Sequence, residues 1–440
     1  MITGRIKAQF DKIKDAVNSS FWFIPSLCIL LAFITLAITY QFDHSGALRD
    51  WVLVKWLYTI DPVGARTILS TIASATITVT SIAFSMIVVS LTLASSQFGP
   101  RLLRTFMQNR NTQYALGVFV ATFVYCLALI RFVTVDESNP FIPGAGLTVA
   151  LLLTLVSILM LVFLIHHVAI SIQADNVIQR CWLSLHNDID RMFPADKAPR
   201  DTQSTTLVWE SLPRTSDLVS DTTGFVQVID YNGLLEAAIE CGVGLSLHIK
   251  PGDYVSTKLP IATAHYAHED QQLPSLADYI VTGHSRTPIQ DPEFAVNQLV
   301  EIGLRALSPG INDPITAITC IKRLSSALTQ LSDRTFPDTY LCDEEGRVRI
   351  ERKAITYAGM VESACNQLRQ NCMPHPSVII AFLEMLNAVV KTCEHADRID
   401  QLLKQGSALV EQVTECQLHA SDEKDIRARY NRLKQSCSEY

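Results

Sequence analysis

Long apolar stretches separated by short polar segments dominate the first 175 residues. Four of them, at residues 21–40, 67–98, 114–130 and 147–171, have the length and composition of membrane-crossing helices. A helix needs roughly 20 apolar residues to cross the hydrocarbon core of a bilayer. The second stretch contains no charged residue at all. The pattern therefore predicts a four-span membrane domain at residues 21–175, preceded by an amphipathic cytoplasmic segment at 1–20.

The pattern changes after residue 175. A connecting helix and polar linker are predicted at 176–204, and alternating strand-like segments at 205–285. The PGDYV turn there resembles the hairpins of small lipoyl-like barrels, but no lysine occupies the tip where a carried group attaches. Residues 286–440 have the spacing of amphipathic helices. The predicted fold class is an α-helical membrane domain plus an α+β domain that contains a small structural β-barrel and a helical bundle.

The charge distribution supports this division and predicts an orientation. Residues 1–174 carry a net charge of +4 and the remainder −11, which together give the −7 of the whole chain. Basic residues flank the ends that would face the cytoplasm, whereas the segment after the third stretch carries Asp136 and Glu137. The positive-inside rule then places both termini in the cytoplasm. An acidic C-terminal domain also argues against nucleic acid as a partner.

Hydroxyl side chains recur along the second apolar stretch. Steps of three, four and seven residues place one set on a single helical stripe: Ser70, Ser74, Thr78, Ser81, Ser85, Thr92 and Ser96. Such a stripe can line a narrow aqueous path, because hydroxyl groups partly replace the hydration shell of an ion. Small hydroxylated residues are equally typical of packing between membrane helices. Both interpretations remain open from the sequence, and one helix can do both at a subunit interface.

Charged residues at the two ends of this stretch are candidates for a pore mouth. Asp61 precedes the stretch, and Arg101 and Arg104 follow the helix-breaking Gly99-Pro100 pair. In an oligomer the arginines would form a ring that favours anions, but membrane topology alone also demands positive charge at this end. Asp61 favours cations at the opposite end, and on balance a cation path is predicted.

The run RTPIQDPEFAVNQLVEIGLRALSPGINDP is the most distinctive part of the C-terminal half. Asp291-Pro292 and Asp313-Pro314 are typical helix starts, with the aspartate as N-cap. One hypothesis gathers six polar residues into a pocket for a small anion or nucleotide: Arg286, Gln290, Asp291, Arg305, Asn312 and Asp313. The other is a purely structural helical corner.

These motifs resemble a bacterial membrane-protein family known as domain of unknown function 2254. The resemblance rests on SSQFGPR, on TGFVQVIDYNGLL with PGDYV, and above all on the run from Arg286 to Pro314. It implies a multi-span protein of the bacterial inner membrane with a cytoplasmic domain. The same six residues match positions of the family motif, which assigns them no role.

We consider three classes of function: an ion channel, a ligand sensor and an enzyme. The absence of a charged residue in the middle of any span favours a passive homo-oligomeric ion channel over an ion-coupled transporter, with the lipid bilayer, further copies of the chain and inorganic ions as partners. A membrane-anchored sensor of a small ligand is the alternative. Neither an HExxH, a GxSxG nor a phosphate-binding loop motif occurs, so no enzyme is expected. Eleven cysteines without a CxxC pair predict reduced thiols and neither metal nor cofactor.

Overall fold

The computed structural model describes residues 22–45, 60–99, 110–134, 141–195 and 207–438. The chain forms two compact units, one within Ile13–Asn176 and the other within Val177–Tyr440. We refer to them as the membrane unit and the C-terminal unit. The predicted N-terminal segment and most of the predicted linker lie outside the described residues.

Four helices in the described part of the membrane unit are long and apolar enough to cross a membrane. They are α1 (Phe23–Ser45), α2 (Pro62–Phe98), α3 (Arg110–Ile130) and α4 (Gly144–Ser171). Their positions match the four apolar stretches of the sequence. At about 1.5 Å per residue the 37 residues of α2 measure about 56 Å, nearly twice the roughly 30 Å of a hydrocarbon core.

Helix α3 is the centre of the membrane unit, since it packs against α1, α2 and α4. Its buried residues include Ala115, Gly117 and Ala121, whose small side chains allow close approach of the neighbouring helices. Tyr125 is fully buried, and its hydroxyl donates to the carbonyl of Gly146 at 3.1 Å. Thr122 of α3 and Ser157 of α4 also share a hydrogen bond of 3.0 Å.

Helix α1 continues beyond the predicted end of the first span and carries Asp43 into the packed region. Asp43 is only 8% exposed. Its two carboxylate oxygens accept hydrogen bonds from the amides of Ala145, at 2.7 Å, and Gly146, at 2.9 Å. Two of the free N–H groups at the start of α4 are thus satisfied by α1. Asp43 lies beyond the predicted end of the first apolar stretch at residue 40, so this contact was not predicted.

The C-terminal unit is an α+β structure, and helix α5 (Ala174–Met192) leads the chain into it. The elements that follow are β1 (Arg214–Val219), β2 (Gly224–Ile229), α6 (Tyr231–Glu240), β3 (Gly244–Leu247), β4 (Tyr254–Val255), β5 (Pro260–Tyr266), β6 (Ile280–Gly283), α7 (Glu293–Ala306), α8 (Pro314–Leu331), β7 (Tyr340–Cys342), β8 (Val348–Glu351), α9 (Tyr357–Asn371), α10 (Pro376–Val390), α11 (Ala396–Thr414) and α12 (Ala420–Ser438).

The strands form two open sheets, so the predicted β-barrel is not confirmed. One sheet has the order β1-β5-β3-β8-β7, in which only β3 and β8 run parallel, and the other has the order β4-β2-β6. Strand β4 has two residues and pairs with β2 alone among the described strands, so it does not join the two sheets into a closed barrel. The core between sheet and helix contains Leu234, Ala238, Leu245 and Ile350.

Helices α7 to α12 build the rest of the unit. Helix α10 lies at their centre, packed against α8, α11 and α12. More than half of its residues are buried, among them Phe382, Leu383 and Leu386. A helix with so large a share of buried apolar residues is typical of the centre of a helical bundle.

Candidate functional site

All seven hydroxyl residues of the stripe on α2 are exposed in the single chain: Ser70, Ser74, Thr78, Ser81, Ser85, Thr92 and Ser96. Successive helix residues are rotated by about 100°, so the seven positions fall within a sector about 80° wide. The residues of α2 that are buried lie on the opposite side: Ala65, Leu69, Ile72, Ala73, Thr76, Ala83, Ile87, Ala94 and Phe98. This buried face packs against α3 and α4.

The stripe therefore takes no part in packing against the other described helices of the same chain. Alanine-rich packing on one side and hydroxyl groups on the other divide α2 into two faces with separate roles. The hydroxyl face is left for lipid, water or a further copy of the chain. Large apolar side chains such as Ile82 and Phe84 border it.

The hydroxyl groups of the stripe mostly donate back to their own helix. Ser70, Thr78, Ser81, Thr92 and Ser96 each donate to a main-chain carbonyl three or four residues earlier, at 2.8 to 3.0 Å. A serine or threonine oxygen keeps its acceptor lone pairs after it has donated its proton. The face that these residues present is consequently rich in acceptors and carries no formal charge.

The predicted mouth residues are only partly within the described chain. Asp61 is the exposed N-cap residue of α2, with Pro62 in the first turn, and its side chain makes no capping hydrogen bond. Arg101 and Arg104 lie outside the described residues. The proposed charge asymmetry between the two ends of α2 therefore stays a prediction.

The six polar residues of the C-terminal motif form two groups, not a single pocket. Arg286, Gln290 and Asp291 lie at the start of α7, and Arg305, Asn312 and Asp313 lie at its end. The 14 residues of α7 separate the groups by about 20 Å along the helix. The single pocket expected from the sequence is therefore not what the fold builds.

The first group is a network of paired charges. Arg286 Nε donates to Asp291 Oδ2 at 2.7 Å, and Lys250 Nζ lies 2.5 Å from Glu293 Oε1. Asp291 is buried, and burial raises its pKa to about 6 although Arg286 acts in the opposite direction. Gly252, at φ +94°, passes so close that a Cβ there would lie 2.5 Å from Asp291 Oδ2. The four charges cancel, and no excess charge remains for a ligand.

Asp291 was also predicted as the N-cap of α7, which is wrong. Pro292 occupies the cap position, and the Asp291 carboxylate is bound by Arg286. Gln290 has a structural contact as well: its amide oxygen accepts from the main-chain N–H of Ile229 at 2.9 Å and its amide nitrogen donates to the carbonyl of Ile229 at 3.2 Å. These two hydrogen bonds fix the end of β2 to the loop before α7.

The second group forms the corner between α7 and α8. Asn312 adopts the left-handed region at φ +50°, which asparagine tolerates better than most residues. Asp313 caps α8 as predicted: its side chain accepts from Thr316 N at 3.1 Å and from Thr316 Oγ1 at 2.6 Å. Arg305 lies 3.7 Å from Glu301 one turn earlier. The Asp313 contacts hold the first turn of α8 at the corner, whereas Arg305 pairs within α7.

Asp313→Ala is expected to destabilise the start of α8 by about 1 kcal/mol, because the amide of Thr316 loses its acceptor. Hydrogen exchange of the first-turn amides of α8 measures the change. The hydrogen bonds from Thr316 hold the pKa of Asp313 below its ordinary value. The contribution of the cap is hence complete at neutral pH and is lost as the pH falls through the acidic range below about 4. Asp313→Ser keeps an acceptor and should exchange almost as slowly as the wild type; equal exchange in all three proteins would contradict the cap.

Comparison with known sequences identifies the family. The profile described as "Predicted membrane protein (DUF2254)" matches residues 18–388. The chain belongs to the DUF2254 family. The resemblance seen in the motifs is thereby confirmed, and the match covers α1–α4, both sheets and the corner at Asp313.

Two mycobacterial relatives of this DUF2254 chain show the same extent of similarity. They are "Uncharacterized protein Mb1321c" of Mycobacterium bovis and "Uncharacterized protein Rv1290c" of Mycobacterium tuberculosis. Each is 31% identical over 407 residues, which cover 90% of this chain and 75% of the relative. No solved structure matches the chain.

Sequence reasoning missed the partners of the DUF2254 motif residues. Lys250 and Glu293 belong to the same charge network as Arg286 and Asp291, but neither was selected. Glu293 lies within the motif, whereas Lys250 lies about 40 residues before it along the chain. Only the pairing of the sheets brings it to the start of α7. Among the described residues, no group of three or more His, Cys, Asp or Glu side chains could hold a metal ion.

Proposed function

We propose that this protein is a homo-oligomeric pore of the bacterial inner membrane, with both termini in the cytoplasm and α2 lining a path for inorganic ions. The observation that carries the proposal is the exposure of all seven hydroxyl residues on the side of α2 opposite its packing face. In a ring of subunits these faces can meet around one axis, and hydroxyl oxygens can then replace part of the hydration shell of an ion.

The direction of the hydroxyl groups supports a cation path. Four of the seven, Ser70, Thr78, Ser81 and Thr92, donate their proton to a carbonyl of α2 itself and keep their lone pairs for a passing ion. The exposed carboxylate of Asp61 at one end of α2 adds negative charge there. Rings of oxygen acceptors and carboxylates are typical of cation-conducting paths.

Neither catalysis nor nucleic-acid binding is part of the proposal. A membrane-anchored sensor is the second candidate function, in which the C-terminal unit would bind a small ligand and signal to partners. The six motif residues do not support it, because Arg286, Asp291 and Arg305 are engaged in ion pairs and Asp313 caps α8. A separate cleft, considered below, is the observation in its favour.

Electron microscopy of the purified full chain in lipid nanodiscs tests the pore directly. A symmetric ring with Ser74, Ser81 and Ser85 facing the central axis is the expected result. Monomers, or a ring whose axis is filled by the side chains of Ile82 and Phe84, would contradict the proposal.

A further prediction concerns Val88, which interrupts the stripe. Val88 is exposed and falls in the same sector of α2, between Ser85 and Thr92. A ring of valines would form the apolar constriction of the path, where water is least stable. Val88→Ser is therefore expected to raise single-channel conductance several-fold in planar bilayers.

Leu93→Ser is the matched control for Val88, because Leu93 is exposed to a similar extent but lies outside the sector. Its conductance should equal that of the wild type. If Val88→Ser leaves the conductance unchanged, or if both variants raise it equally, Val88 does not face the path.

A further inference from the structure

A basic cleft of about 230 Å³ opens in the C-terminal unit. Of the six residues of the predicted corner pocket, Gln290 alone lines this cleft. It is formed where the end of α5, the start of α6, the loop before α7 and the segment after β8 converge. Its lining consists of Arg191, Met192, Phe193, Tyr231, Pro251, Ile289, Gln290, Pro337, Arg352, Lys353, Ala354 and Ile355. Among these residues three are cationic and none is acidic.

Charge pairing leaves one of the three cations without an ion pair. Arg191 lies 2.6 Å from Asp188, and Lys353 lies 3.0 Å from Asp253. Arg352 donates its Nε–H to the main-chain carbonyl of Asp338 at 2.7 Å. No direct ion pair joins Arg352 to a carboxylate in the described part of the chain, although the Asp338 carboxylate is near enough to favour its charged form. Direct ion pairs thus neutralise the charges of Arg191 and Lys353, and Arg352 is the cation of the cleft that is left without one.

The guanidinium of Arg352 is held in place before any ligand binds. Its central carbon lies 4.8 Å from the centre of the Tyr231 ring, a cation–π contact. Neither terminal nitrogen of Arg352 has a hydrogen-bond partner among the described residues, so the planar pair of donors stays available. Burial lowers the pKa of Arg352 and raises that of Tyr231 to about 12, so the phenol stays protonated at neutral pH and can donate.

The remaining surface of the cleft is apolar. Phe193, Ile289 and Ile355, with Met192, Pro251 and Pro337, provide contact area but no hydrogen bonds from their side chains. Small-molecule sites typically combine an apolar lining with a few placed polar groups. The cleft has this composition, with the polar groups at Arg352, Tyr231 and Gln290.

We propose that this cleft binds a small organic carboxylate, whose charged group pairs with the two terminal nitrogens of Arg352 and whose apolar body lies against Phe193, Ile289 and Ile355. A carboxylate matches the planar fork of a guanidinium in a bidentate pair. It also brings a single negative charge to the one guanidinium of the cleft that lacks a direct ion pair, whereas a phosphate ester would bring about two negative charges.

The size of the cleft restricts the ligand further. Sites for drug-sized ligands have volumes of roughly 300 to 1,000 Å³, so about 230 Å³ suits a smaller molecule and excludes a dinucleotide. A metal cation is also excluded as occupant, because no carboxylate lines the cleft. The inference does not depend on the proposed pore, since it uses only residues of the C-terminal unit.

Isothermal titration calorimetry of the full chain in nanodiscs, with benzoate as the probe, tests the assignment. Saturable binding of benzoate is expected, with no binding of the neutral isostere benzamide. Arg352→Gln should weaken benzoate binding by about tenfold or more, because the charge-assisted pair is lost. Tyr231→Phe, which keeps the ring beneath the guanidinium, should weaken it several-fold.

Arg347→Gln is the matched control, since Arg347 lies on the same β7–β8 hairpin, pairs with Asp343 and does not line the cleft. It should bind benzoate as the wild type does. Absence of saturable benzoate binding, or unchanged affinity in both Arg352→Gln and Tyr231→Phe, would overturn the proposal. Tighter binding of phenyl phosphate than of benzoate, with competition by inorganic phosphate, would show that the carboxylate assignment is wrong.

Discussion

Leucine at Ser81 or Ser85 is expected to lower ion conductance by at least about tenfold in planar bilayers. Both serines lie in the middle of the exposed stripe of α2, where a subunit ring would be most remote from water. Leucine removes an oxygen acceptor and adds bulk once per subunit. A rise of about 1.4 kcal/mol in the barrier to ion passage suffices for a tenfold fall in rate.

Two control variants show whether a fall in conductance comes from a blocked ion path or from a misfolded protein. Ser81→Thr keeps the hydroxyl group and should conduct nearly as the wild type does. Ala75→Leu introduces the same side chain at an exposed position of α2 that lies about 60° outside the sector of the stripe, and it should also conduct normally. Equal currents in Ser81→Leu and the wild type, an equal loss in Ala75→Leu, or no current from the wild type would contradict the proposed pore.

The membrane helices could be predicted from the sequence because their signal is local. Apolar residues over the length of a bilayer define α1 to α4, and the structure has four helices at the same places. The orientation of the stripe relative to the packing face could not be derived in this way. It depends on which side of α2 meets α3 and α4, and the alanines of that side are as small as the serines of the other.

The sheets show where local pattern is insufficient. Strands β1 to β6 all lie within the predicted strand-rich segment at 205–285, since alternation and turn residues mark it. The barrel was not confirmed, because closure depends on pairings between distant segments. Strand β8 joins β3 in parallel across about 100 residues, and nothing in either sequence segment indicates this.

The C-terminal motif shows the same limit at the level of single residues. Asp313 was predicted correctly as a cap because its contacts lie within three residues. The cap prediction for Asp291 failed because its carboxylate is buried beside Arg286 and Gly252, and an ion pair outweighs a capping bond there. Arg352 was not selected at all, since its position over Tyr231 depends on the packing of β8 against α6.

Asp43 shows most clearly that a residue which composition assigns to a connection can have a structural role. It lies at the end of an apolar stretch, where an acid is ordinarily assigned to the connection outside the membrane. In the structure α1 extends through it, and its carboxylate meets the first turn of α4. Negative charge at a helix N-terminus is favourable, because the free N–H groups and the helix dipole both attract it.

Asp43→Ala is therefore expected to destabilise the membrane unit by about 3 kcal/mol or more, because the amides of Ala145 and Gly146 would both remain buried without an acceptor. Asp43→Asn, which keeps one carbonyl oxygen, should lose about half as much. Equilibrium unfolding in lipid nanodiscs measures the difference.

Asp61→Ala is the matched control, since Asp61, like Asp43, is an acid beside the first turn of a membrane helix but is exposed and makes no capping bond. Its effect should stay within about 0.5 kcal/mol, as for other surface substitutions. The contrast between the two aspartates isolates the contact itself, because both carry the same kind of side chain beside the first turn of a membrane helix. If Asp43→Ala were as mild as Asp61→Ala, the carboxylate would not hold the start of α4, and the packing around Tyr125 would have to do so alone.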